Sequence, residues 1–105
     1  MTEDEAKNAI EKVLAIISRT YDSEFVISRN EIRCKYFAEY VSVWVHSGIN
    51  DLLGCKFYTY NDMFDSLFKH HSAIEFYDKD NNRHLVNLSK FGSTIEEINI
   101  VCDLM

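Results

Sequence analysis

Residues 24–47 read EFVISRNEIRCKYFAEYVSVWVHS, and the change of period inside this stretch decides the fold. Phe25-Val26-Ile27 is a β-prone run, and Ser28-Arg29-Asn30 reads as a turn because Asn tolerates the left-handed region. From Glu31 to Phe37 strict alternation puts Ile32, Cys34 and Tyr36 on one face and Glu31, Arg33 and Lys35 on the other. From Tyr40 to Ser47 the apolar set becomes Val41, Val43 and Val45, so the register slips by one residue. A one-residue slip exchanges the faces of a strand, so Phe37-Ala38-Glu39 holds either a bulge or a tight reversal. The reversal is preferred, although no strong turn residue supports it. Three antiparallel strands follow from this stretch alone.

Helical spacing flanks these strands. Thr2 followed by Glu5 is a capping-box pattern, and Ala6, Ile10, Val13, Leu14 and Ile17 then recur on one face, which predicts a first helix from about Glu3 to Arg19. Its acidic first turn suits the positive end of the helix dipole. Downstream, Gly48 to Asp51 ends the third strand, Leu52-Leu53-Gly54 is a short connection, and Cys55 to Tyr60 is aromatic-rich and β-prone, a possible fourth strand. Asn61 is placed to cap a second helix whose apolar stripe is Met63, Phe64, Leu67, Phe68 and His71. Ala73–Tyr77 and His84–Leu88 flank a polar loop and predict a hairpin. After Gly92, Ser93 with Glu96 or Thr94 with Glu97 makes a second capping box, predicting a third helix, with a strand as the alternative because Ile98, Ile100 and Val101 are β-branched.

The fold class expected is α+β: one domain spanning residues 1–105, an antiparallel sheet of about five to six strands and three helices, in the order α-β-β-β-(β)-α-β-β-α. The chain of 105 residues has 47% apolar and 27% charged residues, three glycines and no proline, which excludes disordered and low-complexity classes. Area scaling gives about 6,000 Å² of accessible surface when folded.

Seventeen acidic against eleven basic residues leave a net charge of −6, the wrong sign for neutralising phosphates, so direct nucleic-acid binding is disfavoured. The same sign steers encounter with a basic protein. No apolar run approaches the roughly 18 residues of a membrane span, and the opening Met1-Thr2-Glu3-Asp4-Glu5 has no basic or apolar leader character; a cytoplasmic chain without membrane attachment is expected. Cys34, Cys55 and Cys102 are widely spaced and form no C-x-x-C pair, so reduced, buried thiols are expected rather than disulfides or a zinc knuckle.

Signals for chemistry are weak. Asp78, Asp80 and Asn82 imitate the opening of an EF-hand loop, but Arg83 stands where Gly is needed and Ser89 where a bidentate Glu is needed, so a plain hairpin loop is the better account. His70 and His71 point about 100° apart on a helix and suit its C-terminal end better than a metal. Cys34 or Cys55 with His46 or His84 has no local nucleophile signature. No metal, cofactor or catalytic residue is assigned.

The most informative feature is aromatic placement. In the third strand Tyr40, Trp44 and His46 lie opposite the valines; facing outward on a rigid sheet they have the chemistry of an interface anchor. The packing alternative, in which helix two or the C-terminal helix covers them, has slightly the stronger claim because aromatic residues in small domains are usually buried. The segment 51–80 holds six acidic residues against three lysines. The expectation is a non-enzymatic, acidic, protein-binding inhibitor, monomeric or weakly dimeric, whose partner is a basic toxin or other nucleic-acid-acting enzyme. An immunity protein neutralising a nuclease toxin is the favoured form, and a phage-type inhibitor is the other. Tyr40, Trp44 and His46 would anchor the partner, and Asp62, Asp65, Asp78 and Asp80 would supply electrostatic contacts. The alternatives are a secretion chaperone or adaptor holding an extended segment, which predicts a homodimer with a long apolar groove, and a small His/Cys-dependent enzyme, which predicts a pocket around His46 or His84.

Overall fold

Two hairpins with different turn chemistry start the fold. In the computed structural model, which describes residues 1–48, 51–53 and 57–105 apart from the Leu52 side chain, β1 (Phe25–Ser28) and β2 (Glu31–Tyr36) pair with Ser28 opposite Glu31. Arg29 and Asn30 both take positive φ, 54° and 58°, the sign pattern of a type I′ turn, which matches the natural twist of a hairpin. β2 then pairs with β3 (Glu39–Ser42), Tyr36 opposite Glu39, across the two-residue reversal Phe37-Ala38. The preferred reading of the register slip is therefore correct; Phe37 takes φ 57° to make it.

The third predicted strand divides in two. β3 ends at Ser42, Val43 breaks the ladder, and β4 (Trp44–His46) joins a different sheet. The first sheet has the order β1-β2-β3; the second has β5-β4-β6-β7, with β5 (Asp51–Leu53), β6 (Ala73–Tyr77) and β7 (Arg83–Asn87). All of these pairings are antiparallel. Counted as one bent strand, β3 and β4 bring the strand total to six, within the five to six expected. The fourth strand lies earlier than the sequence suggests: it is Asp51–Leu53, where a connection is expected, while Phe57 to Thr59 are not strand and Cys55 and Lys56 fall outside the described residues. Aromatic propensity at 57–60 loses to tertiary context, because the backbone of Phe57 and Tyr58 is bonded to Asn30 in the first hairpin instead of to a sheet.

Helix α1 (Glu3–Tyr21) carries the predicted capping box: Thr2 Oγ1 accepts from Glu5 N at 3.1 Å and Glu5 Oε1 accepts from Thr2 N at 2.9 Å. Helix α2 (Tyr60–Phe68) is capped two residues earlier than expected: Thr59, not Asn61, accepts from Asp62 N. A second cap comes from α1, whose Glu3 carboxylate accepts from Tyr60 N at 2.7 Å and Asn61 N at 2.9 Å. His71 does not extend the buried stripe; it is exposed, with φ 51°, after the helix has ended. The C-terminal segment is helical, α3 (Ile95–Leu104), capped by Thr94 with Glu97.

One buried cluster joins these pieces. Ile10, Val13 and Ile17 of α1, Met63, Phe64 and Leu67 of α2 and Ile98 of α3 meet Ile32 and Cys34 from the first sheet and Val45, Ile74, Phe76 and Val86 from the second. The helices therefore cover one side of the four-stranded sheet, and among the described residues no element covers its other side. The accessible surface is 6138 Å², as the length alone implies.

Candidate functional site

Alternation fixes what the uncovered side presents. Val45, Ile74 and Val86 point inward, so their strand neighbours Trp44, His46, Glu75 and Leu85 point outward. Register sets these into rows. Leu53, Trp44, Glu75 and Leu85 are successive cross-strand partners over β5, β4, β6 and β7; Asp51, His46, Ala73 and Asn87 form the next row, and Tyr77 stands opposite Arg83. Leu53, Trp44 and Leu85 are 56%, 43% and 53% exposed, an apolar line across the sheet. The placement in which a helix covers Trp44 does not hold.

An ion cluster sits in the middle of this line. Glu75 accepts from Arg83 Nε at 3.0 Å and Nη2 at 3.2 Å, and its Oε1 lies 2.7 Å from His46 Nε2. The other imidazole nitrogen, Nδ1, lies 3.3 Å from Asp51 Oδ1 on β5. The Arg83 guanidinium, then the His46 ring, hold the Glu75 carboxyl below its usual range. The Glu75 hydrogen bond, aided by Asp51, raises His46 against a smaller opposing effect of burial. The Trp44 ring stacks near-parallel to the imidazole, 6.2 Å between centroids.

Where the chain passes from one sheet to the other, the two sheets diverge and leave a groove of about 510 Å³. Tyr36, Val41, Trp44 and Tyr77 line it, Phe76 and Cys34 form its floor, and Glu75 stands in its wall. Tyr36 donates its hydroxyl to Asn81 at 2.6 Å and meets the Tyr77 ring edge-on, so the groove's shape is braced. Val41, expected in the core with Val43 and Val45, is 40% exposed here, because the switch of sheets at Val43 separates it from them.

No family model, curated protein or solved structure matches this chain.

The seven residues singled out from sequence fall in separate places. Trp44 and His46 come together on the uncovered face. Tyr40 does not join them: it precedes the switch and sits opposite Lys35 on the outer side of the three-stranded sheet, where the nearby Glu24 carboxylate raises its phenol. Asp62 and Asp65 lie on α2, in the helical layer, and Asp65 pairs with Lys69 at 3.1 Å. Asp78 is buried, and its carboxylate is used inside its own loop. Oδ1 accepts from the backbone N–H groups of Asp80 and Asn82, both at 2.9 Å, and Oδ2 lies 2.8 Å from His84 Nε2. The His84 hydrogen bond, followed by these backbone donors, lowers its pKa to about 2. Asp80 is exposed at the tip of that loop. The geometry gives Asp78 a structural task, and a plain hairpin loop is what the DxDxN run forms.

Sequence reading missed Leu53, Tyr77, Leu85, Glu75, Arg83 and Val41 as neighbours of Trp44. The hairpin pattern at 73–77 does separate Glu75 and Tyr77 from Ile74 and Phe76. Leu85 gives no such signal, because His84-Leu85-Val86 does not alternate in polarity. Each of His46 and His84 has a carboxylate within hydrogen-bond reach, as an enzymatic reading requires, but the groove is lined by Glu75 and neither imidazole. Burial pushes the Cys34 thiol up to about 11 and also raises Cys102, so neither offers a thiolate at neutral pH; Cys55 lies outside the described residues. Among the described residues, no group of three His, Cys, Asp or Glu side chains is placed to hold a metal ion, and no helix is long and apolar enough to cross a membrane.

Proposed function

We propose that the chain is a non-enzymatic protein-binding inhibitor that docks the outer face of its four-stranded sheet onto a basic partner, in the manner of an immunity protein held against a nuclease toxin. The observation that carries this reading is the line Leu53, Trp44 and Leu85, exposed on the sheet beside a braced groove. Exposed apolar groups arranged around a satisfied ion cluster have the make-up of an interface centre: aromatic and aliphatic anchors to desolvate, an adjoining pocket for a partner side chain, and charged groups already paired. The net charge of −6 bears on long-range encounter with a cationic partner and not on the contact at this face. Of the anchors expected from sequence, Trp44 carries this reading, and of the expected electrostatic contacts Asp78, whose carboxylate is engaged within its own loop, is left out of it.

The test is co-purification with the product of the neighbouring gene and an activity assay on that product. A stoichiometric complex that inhibits the partner, weakened by about tenfold or more in Trp44→Ala, supports the proposal. Trp44→Ala binding as tightly as the parent chain, or the isolated protein turning over a substrate, overturns it.

A further inference from the structure

We propose that His46 is a protonation-controlled clasp that fastens the edge strand β5 to the docking face, so that the face is complete when the imidazole is cationic and loosened when it is neutral. This rests on the reading of that face as the docking surface.

Both ring nitrogens face carboxylates, Nε2 toward Glu75 on β6 and Nδ1 toward Asp51 on β5. The Nε2 contact is a hydrogen bond and the Nδ1 contact an ion pair: an imidazolium attracts both carboxylates, whereas a neutral ring that donates from Nε2 to Glu75 turns its Nδ1 lone pair toward the Asp51 oxygen. The contact given up is the one to Asp51, which is longer, 3.3 Å against 2.7 Å, and more exposed. The charged groups around the ring agree with this sign. β5 contributes Asp51, β6 contributes Glu75, and β7 contributes Arg83, which reaches the ring only through Glu75. Ala73 on β6 and Asn87 on β7, in the same row, carry no charge. Two carboxylates against one guanidinium favour the cationic ring, in line with the raised pKa of His46.

The consequence falls on a weak element. Among the described residues, β5 spans three and pairs on one side only, with β4. Asp51 stands at one end of it, and Leu53, the first member of the apolar line, at the other. Releasing Asp51 therefore loosens the strand that carries Leu53 beside Trp44.

Trp44 is the sole tryptophan and stacks on the clasp, so the protein carries its own probe. A protonated imidazole quenches indole emission by accepting an electron from its excited state, and a neutral one does so poorly. Emission of the full chain, titrated from about pH 5 to about pH 9, should rise with a midpoint above the ordinary histidine value of about 6.5. Glu75→Gln should move the midpoint down, Asp51→Asn should move it down by less, and His46→Gln should remove the step. Amide exchange at Leu52 and Leu53 should quicken about threefold above the midpoint, as the half-exposed ion pair between His46 and Asp51 is lost. A midpoint at or below 6.5, a step that survives His46→Gln, or exchange unchanged across the titration overturns the clasp. These readouts need no partner, so they are independent of docking. If they hold while Trp44→Ala leaves partner affinity intact, the docking reading fails and the clasp does not. With the partner present, affinity should fall across the same midpoint in the parent chain and stay flat in His46→Gln.

Discussion

Ile74 and Leu85 stand on opposite sides of the same hairpin, and truncating each to alanine measures which side is covered. Both substitutions remove three carbon atoms. Ile74 is fully buried, so its loss combines about 0.8 kcal/mol for each removed carbon with a cavity term of about 24 cal/mol per Å³, together roughly 3–4 kcal/mol. Leu85 is 53% exposed and its removal opens no cavity, so the same deletion costs about 1 kcal/mol or less. In a chain of 105 residues, 1 kcal/mol moves the melting temperature by about 4–8 °C, which separates the two variants by at least about 8 °C. Urea and thermal unfolding followed by far-UV circular dichroism give both numbers. If Ile74→Ala does not fold, Ile74→Val, at about 1 kcal/mol with a conservative change of shape, still reports a buried site. Leu85→Ala costing as much as Ile74→Ala would mean that the outer face is covered, and the argument for a docking surface would fall with it.

Asp78 and Gly92 offer two further tests of local structure. The folded carboxyl of Asp78 is held at about 2, below its unfolded value, so the stability it contributes is complete above about pH 4 and is lost as pH falls toward 2. Asp78→Asn should lower stability at neutral pH and flatten the slope between those values, as followed by denaturant unfolding across that range; an unchanged slope would show that the loop does not hold the carboxylate as described. Gly92 has φ 108°, and a Cβ there would lie 2.6 Å from Glu97 Cβ, so Gly92→Ala should destabilise by more than about 1 kcal/mol in the same assay and a neutral result would refute the strain.

What the sequence reveals depends on how local the deciding interaction is. Thr2 with Glu5 forms the capping box as read, Thr94 of the two candidate caps starts α3 by accepting from Glu97 N, and the turn read at Ser28-Arg29-Asn30 forms with Arg29 as well as Asn30 left-handed; all are written in residues a few positions apart. The start of α2 is misplaced because Thr59 and Asn61 are equally good caps locally, while the Glu3 carboxylate that holds the helix start comes from 57 residues away. The split of Tyr40 from Trp44 is invisible for a stronger reason. Alternation runs unbroken from Val41 through Val45, and nothing in it records that Val43 is where one sheet hands the chain to another. Periodicity reports which side of a strand a residue occupies, but it does not report which sheet the strand belongs to.

That division alters how charge can act. The three helices contain nine acidic residues and three basic ones, which leaves eight of each in the rest of the chain, so the whole of the −6 resides in the helical layer. The apolar line lies on the opposite side of a molecule 24 Å across its thinnest dimension, and at physiological ionic strength the screening length is about 8 Å. A partner docking on the sheet therefore feels little of the helical charge at contact; what remains is its own encounter with the paired Glu75, Arg83 and His46 cluster. Association through the sheet face should accordingly depend weakly on salt and strongly on Trp44. A steep fall in association rate with salt, preserved in Trp44→Ala and reduced by charge removal at Asp62 and Asp65, would instead put the cationic partner on the helices. Steering and anchoring, which the sequence suggests acting together through one surface, are separated by the thickness of the core.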